Sequence, residues 1–324
     1  MSPAITFRTS ERRRLKEAWI EQFAMDQLHP SGVQLSGDKF ANLAPVIREE
    51  AKAYFGADPK ITWHTHANHA LSSQVACINF LMPLATRPAL LSRFVGRALD
   101  IPPPEMLPAK NRFGTEPWFI DFEWPGAANY LDEWRSASPR GANATNADAV
   151  VRFQNAEGEV ESLLIEWKYT ERYGPQPLKT SGNPTRLERY RDKAFAPDGP
   201  IRNDLGLIVE DFFYEPFYQL FRQQMLAWWM QKAKEDKAVR VRVLHISPKA
   251  NLALHRVTAP ALQRFGDEAF TAFQHVLERP EDFISRSTET LFAGLFAEPD
   301  LDPETRDWVD YLRNRYAFMR EAAP

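Results

Sequence analysis

The chain has one cysteine, Cys77, in 324 residues. A single thiol makes no intrachain disulfide and cannot by itself supply a cysteine-ligated zinc or iron–sulfur centre. Its setting, Val75-Ala76-Cys77-Ile78, is an apolar helical run, so it reads as a buried, inert thiol. Long hydrophobic runs are missing too. No window of about 18 apolar residues exists, so no segment reads as a membrane span. Met1 to Arg14 lacks the apolar stretch of a signal peptide, and a cytoplasmic protein is the default expectation. Charge of one sign is scarce: 40 Lys and Arg against 43 Asp and Glu leave a net −3. That gives no global basic field, so any contact with nucleic acid must come from a local patch. There is no internal repeat and no low-complexity tract.

What is present is ordinary globular composition, 44% apolar and 26% charged, with 12% aromatics including nine Trp. The length suits one large or two modest domains with a ring-rich core. Ser10 precedes Glu11 to Trp19 as a helix cap, with Leu15, Trp19, Ile20 and Phe23 on one face. The Arg12-Arg13-Arg14 run reads as that helix's solvated side, with a phosphate-contacting arm as the alternative. Residues 69–84 carry Leu71, Val75, Ile78 and Met82 at core spacing, ended by Pro83 and Pro88. Ile101-Pro102-Pro103-Pro104 is a stiff connector. Trp118 to Glu123 reads as a strand. Ala149 to Phe153 and Val160 to Tyr169 read as a β-hairpin turning at Asn155-Ala156-Glu157-Gly158, with Gly158 free to take a positive φ. Glu171 to Gly199 reads as irregular. Glu215 to Lys232 is a strong helix lined by Phe217, Phe221, Met225 and Trp228, and residues 239–246 alternate as a strand. From about Thr258 the chain reads as all-helical, with Asp302-Pro303-Glu304 a clean helix start.

The chemistry concentrates on Asp148, Glu166 and Lys168. In a strand, residues two apart share a face, so Glu166 and Lys168 point one way and Trp167 the other. The hairpin brings Asp148 back beside Glu166. Charge is costly to bury unless paired or metal-bound, so two carboxylates and an ammonium in a strand pair point to a site, against a solvated hairpin face. Mg²⁺ takes oxygen ligands, usually one or two carboxylates with waters and substrate phosphate. Asp148, Glu166 and the Trp167 backbone carbonyl are candidate ligands, and Lys168 suits a water or a developing negative charge. Other acidic-x-Lys matches fail on context. Glu50-Ala51-Lys52 and Glu235-Asp236-Lys237 lie in charged helical stretches, and Asp58-Pro59-Lys60 is a turn signal.

The Asp148…Glu166-Trp167-Lys168 arrangement resembles the active site of the PD-(D/E)XK nuclease superfamily. Thr145-Asn146-Ala147-Asp148-Ala149, Ile165 to Glu171 with Tyr173-Gly174, His69 to Gln74 and Gln219 to Gln223 are together similar to a bacterial group of restriction endonucleases within it. Trp167 stands where a smaller aliphatic residue is commoner, and Asn146-Ala147-Asp148 replaces the Pro-Asp of the superfamily name. The resemblance implies an α/β fold, a restriction-endonuclease-like core of α-β-β-β-α-β order around a central mixed sheet, with added N- and C-terminal helices. It implies Asp148 and Glu166 as metal ligands, Lys168 as the third catalytic residue, and Mg²⁺, with Mn²⁺ as substitute, as cofactor.

Further candidates surround the trio. Gln219, Arg222 and Gln223 share one helix face, and the two glutamines are candidate site-lining residues; buried hydrogen bonding is the alternative. Glu123 and Glu133 are candidates for an additional acid. His64-Thr65-His66-Ala67-Asn68-His69 lacks a zinc spacing and reads as a polar helix start, with His69 and Gln74 as candidate site neighbours. Lys168 to Lys193 holds seven basic residues against three acidic ones. Its Arg172, Lys179, Arg186, Arg189, Arg191 and Lys193 are candidate nucleic-acid contacts, with an ordinary surface loop as the alternative. The expected organisation is a helical extension over 1–63, the core over 64–250 and a helical region over 251–324. The expected activity is metal-dependent hydrolysis of DNA phosphodiesters, with a homodimer as a candidate assembly. The rivals are a silent nucleic-acid-binding protein of the same fold and a phosphohydrolase acting on a small nucleotide.

Overall fold

Residues 160–167 and 147–154 alternate large apolar side chains on both faces, as a strand buried in a sheet interior must. The computed structural model describes residues 5–57, 60–109, 117–134, 144–179, 183–297 and 301–320. In chain order its helices and strands are α1 (Phe7–Gln22), α2 (Arg48–Gly56), α3 (Ser73–Leu81), α4 (Pro88–Leu99), β1 (Glu105–Leu107), β2 (Ile120–Trp124), β3 (Ala147–Gln154), β4 (Val160–Trp167), α5 (Pro184–Ala194), α6 (Phe217–Lys232), β5 (Arg240–Ser247), α7 (Ala269–His275), β6 (Phe283–Ser287), α8 (Thr288–Phe296) and α9 (Pro303–Arg315). Short 3-10 turns link several of them.

One mixed six-stranded sheet runs β1-β3-β4-β5-β6, with β2 also paired to β3. β1 takes residues 152–154 of β3 and β2 takes 147–151, so the two lie in tandem along one edge. β3 and β4 are antiparallel, whereas β5 and β6 run parallel to β4. A parallel pair requires a crossover, and α6 supplies it between β4 and β5. Helices cover both faces. Ile165 and Trp167 pack with Phe80, Phe292 and Tyr316 on one side, while Leu164, Val241 and Val243 pack with Phe221 and Met225 on the other. This is the restriction-endonuclease-like arrangement.

The hairpin turns where expected, with Gly158 at φ 77°. Asp302 caps α9, its side chain accepting from the Thr305 N–H. Four details differ from the sequence reading. α1 starts four residues earlier, capped by Thr6, and Ile20 is exposed. The histidine-rich stretch is a turn, because Ser72 caps α3 and the helix begins only at Ser73. The basic stretch after the trio is not wholly irregular: Asn183 accepts from the Arg186 N–H and Pro184 opens α5. The chain beyond Thr258 is not all-helical either. Phe283–Ser287 forms β6 on the open edge of β5, with Phe283 buried against α7. The Asp58-Pro59 turn signal falls outside the described residues.

Candidate active site

β-sheet register builds the site. Phe122 pairs with Ala149 and Trp124 with Ala147, which puts Glu123 level with Asp148. Ala149 pairs with Ile165, and one step further Asp148 stands level with Glu166. Three carboxylates therefore lie abreast on β2, β3 and β4. Glu123 takes φ 52°, a left-handed conformation rare for a residue with a Cβ inside a strand.

Each carboxylate is held. The Trp167 N–H donates to Asp148 Oδ2 at 2.6 Å. Lys168 Nζ meets Glu166 Oε1 at 2.5 Å, and Gln223 Nε2 donates to Glu166 Oε2 at 2.8 Å. Gln74 Nε2 donates to Glu123 Oε1 at 2.6 Å, while Gln74 Oε1 accepts from the His64 N–H at 2.9 Å. Trp167 points to the other face, against Phe80 and Phe292.

Burial, then the charge of Glu166, pushes the Asp148 carboxyl well above the usual carboxylate range; Lys168 and the Trp167 N–H only partly offset this. Burial pulls the Lys168 pKa down. Glu166, Tyr173, Asp148 and Glu171 outweigh it and hold the ammonium above an ordinary lysine. Lys168 is thus a fixed cation and a donor. Burial, with Asp148 and Glu123 next, pushes the Cys77 thiol up, which keeps it inert.

The trio opens into a cavity of about 590 Å³ lined by Glu123, Asp148, Glu166, Lys168, Gln219, Arg222 and Gln223, together with Thr145, Asn146 and residues 61–66. Asn146 Oδ1, Gln219 Oε1 and Gln223 Oε1 are buried acceptors without a donor. With the carboxylates they make a wall of acceptors that calls for donors or a cation. No group of three or more His, Cys, Asp and Glu side chains forms a metal cage among the described residues. A zinc site needs such a cage, whereas Mg²⁺ retains several waters and takes one or two carboxylates. The carboxylate donor set therefore fits a hydrated Mg²⁺ or Mn²⁺ better than a zinc ion.

Other candidates stand apart. Glu133 does not line the cavity; it sits behind the wall, accepting from the Thr145 hydroxyl at 3.0 Å and from Arg222 Nε at 3.2 Å. His69 is also outside it. Because the helix starts late, His69 lies in a turn where its Nδ1 accepts from the Leu71 N–H. Burial and the nearby Arg12, His66 and Arg8 bring its pKa down to about 4. His64 and His66 line the rim instead. Gln74 touches the site through Glu123.

None of Arg172, Lys179, Arg186, Arg189, Arg191 or Lys193 lines the cavity. α5 turns two of them into structural partners: Arg186 donates to the Tyr218 hydroxyl at 2.6 Å, and Lys193 pairs with Asp132 at 2.9 Å. The sequence reading gave Arg222 a helix face but no role. Its position between Gln219 and Gln223 was the signal for its place in the wall.

No curated protein and no solved structure matches this chain. A family model does, that of a restriction endonuclease associating with ARP, and it spans residues 28–317. With the sheet order and the carboxylate row in place, that match makes the chain a member of this restriction-endonuclease family.

Proposed function

We propose that the chain is a divalent-metal-dependent nuclease that hydrolyses DNA phosphodiesters. The observation that carries this is the convergence of Asp148, Glu166 and Lys168 on one cavity, with the Lys168 ammonium against Glu166. Asp148 and Glu166, with the Trp167 carbonyl, would hold Mg²⁺ or Mn²⁺. Bound there, the cation supplies charge neutralisation at the phosphoryl oxygens and a more acidic water. Lys168 keeps its proton, so it donates to developing negative charge rather than acting as a base. Gln223 holds the Glu166 carboxylate in place, and the Trp167 N–H does the same for Asp148. Glu123 adds a third carboxyl group to the row, on a residue fixed by Gln74.

Cleavage of plasmid, linear and single-stranded DNA in Mg²⁺ or Mn²⁺ tests the reading. Lys168→Ala and Glu166→Ala are expected to lose at least about a hundredfold in rate, the scale of removing one electrostatic stabiliser, while keeping the wild-type circular dichroism spectrum. A folded wild type that leaves every DNA and RNA form intact overturns it.

A second reading, hydrolysis of a small phosphorylated nucleotide, has one observation in its favour. The basic residues of α5 lie outside a cavity whose volume is in the range of small-ligand sites. Turnover of mononucleotides without turnover of oligonucleotides would establish it.

A further inference from the structure

The cavity wall holds a second cation besides Lys168, and it is mounted differently. Arg222 on α6 donates its Nε–H to Thr145 Oγ1 at 2.8 Å and Glu133 Oε1 at 3.2 Å. Glu133, its side chain 2% exposed, also accepts from the Thr145 hydroxyl at 3.0 Å and the Tyr190 hydroxyl at 2.5 Å. The guanidinium carbon sits 5.1 Å from the Tyr218 ring centre. Arg222 is therefore fixed from behind and from the side.

Its front is open. Neither terminal amino group of Arg222 has a protein partner among the described residues, and 16% of the side chain remains exposed in the cavity. A guanidinium presents its N–H donors in a planar fork, and here the two amino groups are left for a ligand. No ion pair joins Arg222 to Asp148 or Glu166, so it lies beyond 4.0 Å from both carboxylates. Thr145, which it grips, is three residues before Asp148, a stretch that spans at most about 10 Å. The fork is thus beside the carboxylate row and displaced from it.

We propose that Arg222 clamps a phosphate of the bound strand next to the one cleaved, and that Glu133 is its positioning residue. This rests on the nuclease reading above. The alternative is a purely structural Arg222–Glu133 pair that ties α6 to the start of β3.

The experiment is equilibrium binding of a fluorescent DNA oligonucleotide to the full chain in EDTA, over a series of salt concentrations. The proteins are wild type, Arg222→Gln, Arg222→Lys and Glu133→Gln, each checked for fold by circular dichroism. Arg222→Gln is expected to bind roughly tenfold to a hundredfold more weakly, the loss of a charged hydrogen bond. The slope of log affinity against log salt should fall by about one unit. Arg222→Lys keeps the charge and the slope but loses affinity, because the fork is gone. Glu133→Gln should weaken binding by less and leave the slope unchanged. If Arg222→Gln does not fold, Arg222→Lys alone decides, by lost affinity at constant slope. Wild-type affinity and slope in a folded Arg222 variant overturn the clamp and leave the nuclease reading standing. A wild type that binds DNA neither in EDTA nor in Ca²⁺ at any salt removes the nuclease reading and the clamp with it.

Discussion

Glu215 shows how far the site's electrostatics reach beyond the trio. It immediately precedes Pro216 and α6, and its Oε2 is buried without a partner. Burial, then Glu166, raises its pKa to about 7, against the opposing pull of Lys168, the Gln219 N–H and Arg222. The folded protein therefore holds a proton that the unfolded chain releases near the ordinary value of 4.5. Between those two values the unfolded state binds fewer protons, so stability falls as pH rises, then levels off above about 7. Glu215→Gln removes that loss. In EDTA, the variant is expected to gain up to about 3 kcal/mol over wild type at pH 8, and nothing below pH 4.5. Urea unfolding at a series of pH values measures it; a stability difference that does not change with pH would rule it out. Nothing in the sequence marks this carboxyl. Its shift comes first from burial and then from the nearby Glu166, both set by tertiary packing that periodicity does not encode. Glu166 and Lys168 are legible for the opposite reason. Their spacing of two fixes a shared face locally, and the apolar run before them fixes a buried strand.

At the scale of elements, the readable parts are those with a single local period. The β3–β4 hairpin and α6 fall within two residues of their expected bounds. α5 was less legible, since its mean composition is that of a polar loop and only Tyr190 and Ala194 are buried. Its start signal, Asn183 followed by Pro184, outweighs that composition. β6 was missed because a five-residue strand with one buried residue has too short a pattern to compete with the helical residues around it. It forms because β5 offers an unpaired parallel edge. The cap at Asn183 can be tested directly. Asn183→Ala leaves the Arg186 N–H without its side-chain acceptor and should destabilise α5 by about 1 kcal/mol. Hydrogen exchange at residues 186–190 is expected to speed up about fivefold, while β3 and β4 stay protected. Equal acceleration in the sheet would mean that α5 does not open on its own.

At the scale of the whole molecule, parts distant in sequence meet on a few buried polar side chains. Asn79, on α3 and fully buried, is the clearest. Its Oδ1 accepts from the Ala44 N–H at 2.8 Å, its Nδ2 donates to the Tyr316 hydroxyl at 3.0 Å, and its carbonyl accepts from Trp308 Nε1 at 2.8 Å. The segment before α2, helix α3 beside the carboxylate row and the C-terminal helix α9 thus share one residue. The Tyr169 hydroxyl donating to Glu11 makes a comparable tie between α1 and the residue after Lys168. Such junctions tie the flanking helices to the sheet, and the expected consequence is that they unfold together with it. Asn79→Ala tests this. It leaves the Ala44 N–H buried and unpaired and removes a partner of Tyr316, with an expected cost on the order of 2–4 kcal/mol. If the segments fold as one unit, the variant should melt at a lower temperature in a single transition, with fluorescence from the nine Trp and far-ultraviolet circular dichroism coinciding. Two separated transitions in the variant would mean that the N- and C-terminal segments can detach while the sheet, and the carboxylate row built on it, remains folded.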